Sequence, residues 1–164
     1  MSELQIRPYR DTDWPQVWEI FREVVAAGET YAYDPAWTEA EAQAVWIEPP
    51  PGVTLVAADG ETVLGTAKAG PNRPGRGAHV ATASFMVPDA ARGRGVGRAL
   101  GETVLTWARE QGYAALQFNA VVETNAPAVY LWQALGFRII GTVPEAFEHP
   151  NHGRVGLHVM HRFL

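Results

Sequence analysis

Residues 92–97 read Arg-Gly-Arg-Gly-Val-Gly, the clearest chemical signal in the chain. Glycines let a backbone turn tightly and approach a ligand closely. Where such a turn opens a helix, backbone N–H groups are left without partners and carry partial positive charge. Together they make a nest for an anion such as a pyrophosphate. Arginine is concentrated around it. Arg73, Arg76, Arg92, Arg94 and Arg98 all fall between residues 73 and 98, with Asp89 the one acid among them. Two other phosphate motifs are excluded. The P-loop pattern Gly-x-x-x-x-Gly-Lys-Ser/Thr is nowhere in the chain, and the dinucleotide fingerprint fails because Arg98 or Leu100 stands where its third glycine belongs. On spacing alone, a glycine-rich turn with solvated arginines is the plainer alternative.

The elements around the motif give it a place. Residues 79–87 read as a central strand, and 95–111 as a helix through Val96, Leu100, Val104, Leu105 and Trp107, stopped by Gly112. Upstream, alternation predicts a strand over 4–9. Apolar residues at helical spacing predict a helix over 13–27, and 28–37 reads as a loop. Thr38 with Glu41 forms a capping-box pattern opening a helix to about residue 47, which Pro49-Pro50-Pro51-Gly52 ends. Residues 53–58 and 62–69 flank Asp59-Gly60 as a hairpin. Downstream come a strand over 115–122, a helix over 125–135, and strands over 137–143 and 155–163. The order β-α-α-β-β-β-α-β-α-β-β predicts an α/β (α+β mixed) fold: one mixed, twisted central sheet of six to seven strands with helices on both faces.

Composition narrows the function classes. The 164 residues are 47% hydrophobic, enough for the core of one domain, read here as spanning 1–164. A net charge of −5 argues against a general nucleic-acid binder. Cysteine is absent, which removes disulfides, thiolate zinc sites and a cysteine nucleophile. No apolar run reaches membrane-spanning length, and the N-terminal Met-Ser-Glu-Leu-Gln lacks signal-peptide features, so a cytoplasmic location without membrane association is expected. His149 and His152 lack a third ligand nearby in sequence, so no metal is expected.

On two linked motifs the chain resembles the GCN5-related N-acetyltransferase (GNAT) superfamily. The run Arg92 to Gly97 fits that family's Arg/Gln-x-x-Gly-x-Gly/Ala pattern, after a strand ending Phe85-Met86-Val87 and before a long helix. Asn125 begins a helix after the next strand, and that helix ends in Gly136-Phe137, as the family's does. The short runs Thr30 to Pro35, Ala69-Gly70-Pro71 and Ala146 to His149 are similar to those of phosphinothricin acetyltransferase-like, small-molecule members. The resemblance implies acetyl-CoA as co-substrate. Backbone groups of Met86 and Val87 would hold its pantetheine arm. Backbone N–H groups across Arg92, Gly93, Arg94, Gly95, Val96 and Gly97, with Arg98 nearby, would hold the pyrophosphate, and Asn125 would meet it from the other side. It also implies an amine acceptor and brings the expectation of a homodimer.

Acetyl transfer to an amine needs two substrates held in line, a base for the ammonium proton and an acid for the departing thiolate. With no cysteine and no Gly-x-Ser-x-Gly elbow, direct transfer in a ternary complex is the simpler reading. The family's Tyr, seven residues after the Asn, is here Trp132. Tyr130 lies roughly 200° from it around the helix and is a candidate acid beside an exposed or packing role. His79 and Glu29 are candidate bases, with Asp34 of the same loop as Glu29 a further candidate base. Each has a structural or solvated alternative. Tyr31, Tyr33, Asp34 and Asn119 are candidate acceptor contacts, Asn119 as a polar residue in an apolar strand. A small amine or amino acid is the leading acceptor. A protein N-terminus or lysine is the alternative, and a non-catalytic acyl-CoA sensor is the reading from another class.

Overall fold

The computed structural model describes residues 3–164; Met1 and Ser2, the start of the stretch read for targeting features, lie outside them. Seven strands are described: β1 (Leu4–Pro8), β2 (Val53–Asp59), β3 (Thr62–Pro71), β4 (Val80–Met86), β5 (Ala115–Val122), β6 (Arg138–His149) and β7 (Gly153–Phe163). Four α-helices accompany them: α1 (Trp14–Ala27), α2 (Glu39–Trp46), α3 (Val96–Glu110) and α4 (Ala126–Ala134). The strands form one sheet ordered β1-β2-β3-β4-β5-β7-β6, antiparallel everywhere except between β4 and β5.

Side chains alternate across a strand, and β2 shows how that builds two cores. Leu55 and Ala57 face α3, whose Leu100, Val104 and Leu105 share their cluster with Trp132 of α4 and with Leu135 just after it. Val56 faces the other way, into Val17, Ile20, Phe21 and Val25 of α1 and Trp46 of α2. The helices therefore cover both faces, as the element order predicts. The capping box of α2 forms: Thr38 Oγ1 accepts the Glu41 N–H at 3.2 Å, and Glu41 Oε2 accepts the Thr38 N–H at 2.9 Å. Arg7 on β1 ties the edge of the sheet to the start of α1 by donating from both terminal nitrogens to the buried Asp13 carboxylate, each at 2.8 Å. These bonds hold the Asp13 carboxyl below its usual range and outweigh the opposing effect of burial.

Three irregularities shape the site. The parallel pair β4–β5 stays in register only at Val80 with Ala115 and Ala81 with Leu116, and beyond these the strands part. β5 shifts register against β7 between Phe118 and Val121, which leaves Asn119 and Ala120 in a bulge. β6 shifts against β7 between Val143 and Phe147, with Glu145 at φ 50°. That second bulge turns Phe147 inward on a strand whose other side chains are mostly exposed.

The late hairpin corrects the sequence reading. Residues 144–149 continue the strand expected to stop at 143, and the returning strand starts at Gly153 rather than 155. Pro144 and the bulge interrupt the simple alternation, so the periodicity fades although the pairing continues.

Candidate functional site

The parting of β4 and β5 creates the site. Peptide groups alternate in direction along a strand. The Val80 carbonyl accepts from Asn72 on the β3 side at 2.8 Å, so the odd-numbered residues of β4 aim their peptide groups at the gap. Ala83, Phe85 and Val87 therefore have no strand opposite them once the β5 pairing ends. Tyr31 takes one of these positions. Its hydroxyl donates to the Phe85 carbonyl at 2.7 Å and accepts the Phe85 N–H at 2.8 Å. Burial pushes this phenol's pKa strongly upward, so it stays a neutral donor. Met86, paired in sequence with Val87 as a pantetheine contact, turns its side chain into the α1 core and its peptide towards Thr66 of β3. The gap-facing peptide is that of Val87.

At the end of the gap the chain passes through a turn into α3. Gly93 at φ 78° and Gly95 at φ 76° adopt the left-handed conformation that side chains resist. Gly95 is the N-cap of α3 and has no side-chain cap, so the first N–H groups of the helix stay free for a ligand. Arg92 is held by Asp89 at 2.9 Å and Arg98 by Glu102 at 3.0 Å, both exposed pairs that hold their partners weakly.

Beside the turn, Asn125 caps α4 by accepting the Ala128 N–H at 3.4 Å. Trp132 packs between Phe85 and Phe118, each ring centroid 4.7 Å away. Its indole sits so close to α3 that a Cβ on Gly101 would lie 2.9 Å from Trp132 Cζ3. Trp132 is thus a wall of the site, and its indole offers no acid at neutral pH.

A continuous cavity of about 760 Å³ runs through this gap. Its one end is bordered by Arg92, Gly93, Gly95, Val96, Gly97 and Arg98, and Asn125 stands beside it. Its other end lies against α1 and the following loop, at Glu29, Thr30, Tyr31 and Tyr33, with Thr82 and Ser84 on β4. Phe147 and Leu157 of the late hairpin close that end. These two were not among the sequence candidates, because the β6 bulge that delivers Phe147 has no local signature. The one hint was the run Ala146 to His149.

The sequence candidates divide by position. Glu29, Tyr31, Tyr33, Asn119, Met86, Val87, Asn125 and the glycine run border the cavity. Tyr130 does not: it is 76% exposed on α4. His79 lies exposed before β4, at the far end of that strand from the gap, and its carbonyl accepts the Ala114 N–H at 2.8 Å. Asp34 is exposed outside the cavity and accepts the Ala36 N–H at 2.8 Å. Arg94 turns away from the nest to Asp59 at 3.3 Å. Arg73 and Arg76 sit in the loop before β4, away from the nest, so the arginine cluster of the sequence is divided in space. Asn119, expected as a polar residue within an apolar strand, is exposed in the β5 bulge. It donates to Asn72 Oδ1 at 2.7 Å and accepts from Gln117 at 3.0 Å.

No group of three or more His, Cys, Asp or Glu among the described residues could hold a metal ion. No described helix is long and apolar enough to cross a membrane.

Known proteins share this arrangement. A GCN5-related N-acetyltransferase from Kribbella flavida superposes with a TM-score of 0.96 at 63% identity, covering 98% of both chains. A ribosomal-protein-alanine N-acetyltransferase from Brucella melitensis has a TM-score of 0.84 at 28% identity, over 98% of this chain and 100% of that one. A phosphinothricin acetyltransferase from Sinorhizobium meliloti, solved with acetyl-CoA, has a TM-score of 0.88 at 25% identity, over 98% and 88%. Among curated relatives, N-acetyltransferase aca1 of Schizosaccharomyces pombe is 29% identical over 143 residues, 78% of this chain and 68% of that protein. Protein SPT10 of Saccharomyces cerevisiae is 40% identical over 76 residues, 46% of this chain and only 12% of that much longer protein. The family model for the acetyltransferase (GNAT) family matches residues 14–137, from the first turn of α1 to the Phe that follows α4. That match spans the strand gap, the glycine turn and the Asn-capped helix, and the chain belongs to the acetyltransferase (GNAT) family.

Proposed function

We propose that this chain transfers acetyl from acetyl-CoA directly to the primary amine of a small molecule in a ternary complex. The observation that carries the reading is the cavity through the β4–β5 gap, with the free N-terminus of α3 at one end and an aromatic lobe at the other. Acetyl-CoA, when bound, supplies an acyl group activated as a thioester. The residues present fit it: Gly95, Val96 and Gly97 offer backbone N–H groups to its pyrophosphate, Arg92 and Arg98 add charge, and the Val87 peptide faces the channel for its arm. Glu29 is the carboxylate of the α1–α2 loop that borders the acceptor end, and we assign it receipt of the amine's proton, directly or through water. Tyr31 keeps the β4 edge in place, and the packed Phe85, Phe118 and Trp132 exclude water from the channel.

Acylation of a protein N-terminus is the second reading, favoured by the likeness to the Brucella melitensis enzyme. Calorimetric titration of acetyl-CoA, followed by thiol-release assays on small amines and on peptides, tests both. Saturable binding with thiol release on small amines is expected. Binding without release on any amine would support the sensor reading, and no binding would overturn the proposal. A homodimer remains part of it, read by sedimentation velocity.

A further inference from the structure

The walls of the acceptor lobe carry a charge pattern that bears on the amine. At this end the cavity is bordered by Glu29 and by neutral hydroxyls at Thr30, Thr82 and Ser84, whereas Glu23 of α1 accepts the Asp89 N–H at 3.0 Å near the turn into α3. Val24, Ala27, Tyr33, Val122, Phe147 and Leu157 make the rest of it apolar. Among the described residues, the cations bordering the cavity are Arg92 and Arg98, and both stand at the opposite end, at the turn into α3. Among the described residues, no lysine, arginine or histidine borders the lobe.

An amino acid or phosphinothricin-like acceptor brings a carboxylate or phosphinate close to the reacting amine. A buried anion needs a cationic or multiply donating partner, and Arg is the usual choice because its fork matches a carboxylate. This lobe offers instead the Glu29 carboxylate, which repels an anion and attracts an ammonium.

Resting on the acetyltransferase reading above, we infer that the acceptor is a small amine with an apolar body and no anionic group beside the amine. Glu29 draws in its ammonium form, and the walls at Phe147, Leu157 and Tyr33 hold its carbon skeleton. The lobe therefore selects against free amino acids, although the structural relatives include a phosphinothricin acetyltransferase.

Matched pairs test this on the whole protein: phenethylamine against phenylalanine, isoamylamine against leucine, with phosphinothricin and an alanyl peptide amide alongside. Thiol release gives kcat/KM for each, and calorimetry reports acetyl-CoA binding in the same preparation. The expected result is at least a tenfold preference for the member lacking the carboxylate. In Glu29→Gln, shown folded by its melting curve, that preference shrinks severalfold because the repulsion is weaker. Equal or better turnover of the amino acid or phosphinothricin overturns the inference and leaves the acetyltransferase reading standing. A peptide amide that outruns every small amine tenfold overturns the small-molecule assignment. Turnover of none of them, with acetyl-CoA bound or not, overturns both.

Discussion

The Tyr31 hydroxyl donates to the carbonyl and accepts the N–H of the same residue, Phe85, at 2.7 and 2.8 Å. It does the work of a neighbouring strand at the point where β5 has moved away. Without it, both peptide groups would sit in a half-buried edge with nothing to bond.

Tyr31→Phe removes both bonds and keeps the ring. We expect a loss of about 1–3 kcal/mol in urea unfolding, the cost of leaving such groups unsatisfied. The pH dependence has a definite sign. The phenol's pKa is raised on folding, so above about 10 the unfolded chain ionises there while the folded one does not, and wild-type stability falls as pH rises. The variant should lose part of that alkaline slope.

Two glycines of one motif should respond differently. Gly95→Ala places a Cβ at φ 76°, at a cost of about 1–2 kcal/mol, and should lower both the melting temperature and acetyl-CoA affinity. At Gly97 a Cβ would meet Leu131 at an ordinary 3.5 Å. Gly97→Ala should therefore melt no lower than wild type, yet bind acetyl-CoA about tenfold more weakly, about 1.4 kcal/mol, because the Cβ stands where the ligand's phosphates approach the helix. Equal calorimetric affinity for Gly97→Ala and wild type would count against this helix end as the phosphate site.

Arg98→Ala removes an exposed partner of Glu102 and should change stability by no more than about 0.5 kcal/mol. Its acetyl-CoA affinity should fall severalfold, and the fall should shrink as salt rises from 50 to about 500 mM, because screening weakens the arginine's contribution. Titrations at two ionic strengths read this directly.

Asp13→Asn breaks the paired bonds to Arg7 at the joint between β1 and α1. The Asp13 pKa is lowered on folding, so its stabilisation is present above the ordinary carboxylate value, about 4, and is lost as pH falls through the lower folded value. The variant should be less stable than wild type at pH 7, and the two unfolding curves should converge in acid below pH ~4.

Tyr130→Phe and His79→Ala should leave kcat and KM within about twofold of wild type, since one side chain is 76% exposed on α4 and the other lies at the far end of β4. Glu29→Gln should lower kcat/KM at least tenfold under steady-state thiol release. A large loss of kcat in Tyr130→Phe would mean that α4 repacks during turnover.

The sequence alone made much of this protein legible, wherever the signal was local. Helical spacing marked α1 and α3, Thr38 with Glu41 marked the start of α2, and glycine at 93 and 95 marked a turn that needs left-handed backbone. Such features depend on residues a few positions apart, so a linear reading captures them. Tertiary structure alone decided where strand pairing stops. The β4–β5 register ends at Ala81 because bulges and packed rings further along hold the strands apart, and no residue of β4 announces it. That parting sends Tyr31 to Phe85, opens the channel and brings Phe147 and Leu157 to its acceptor end from the far side of the sheet. The length of β4 separates Arg73 and Arg76, which precede it, from the nest that follows it. Charge proximity along a chain says nothing of distance once a strand of about 20 Å lies between.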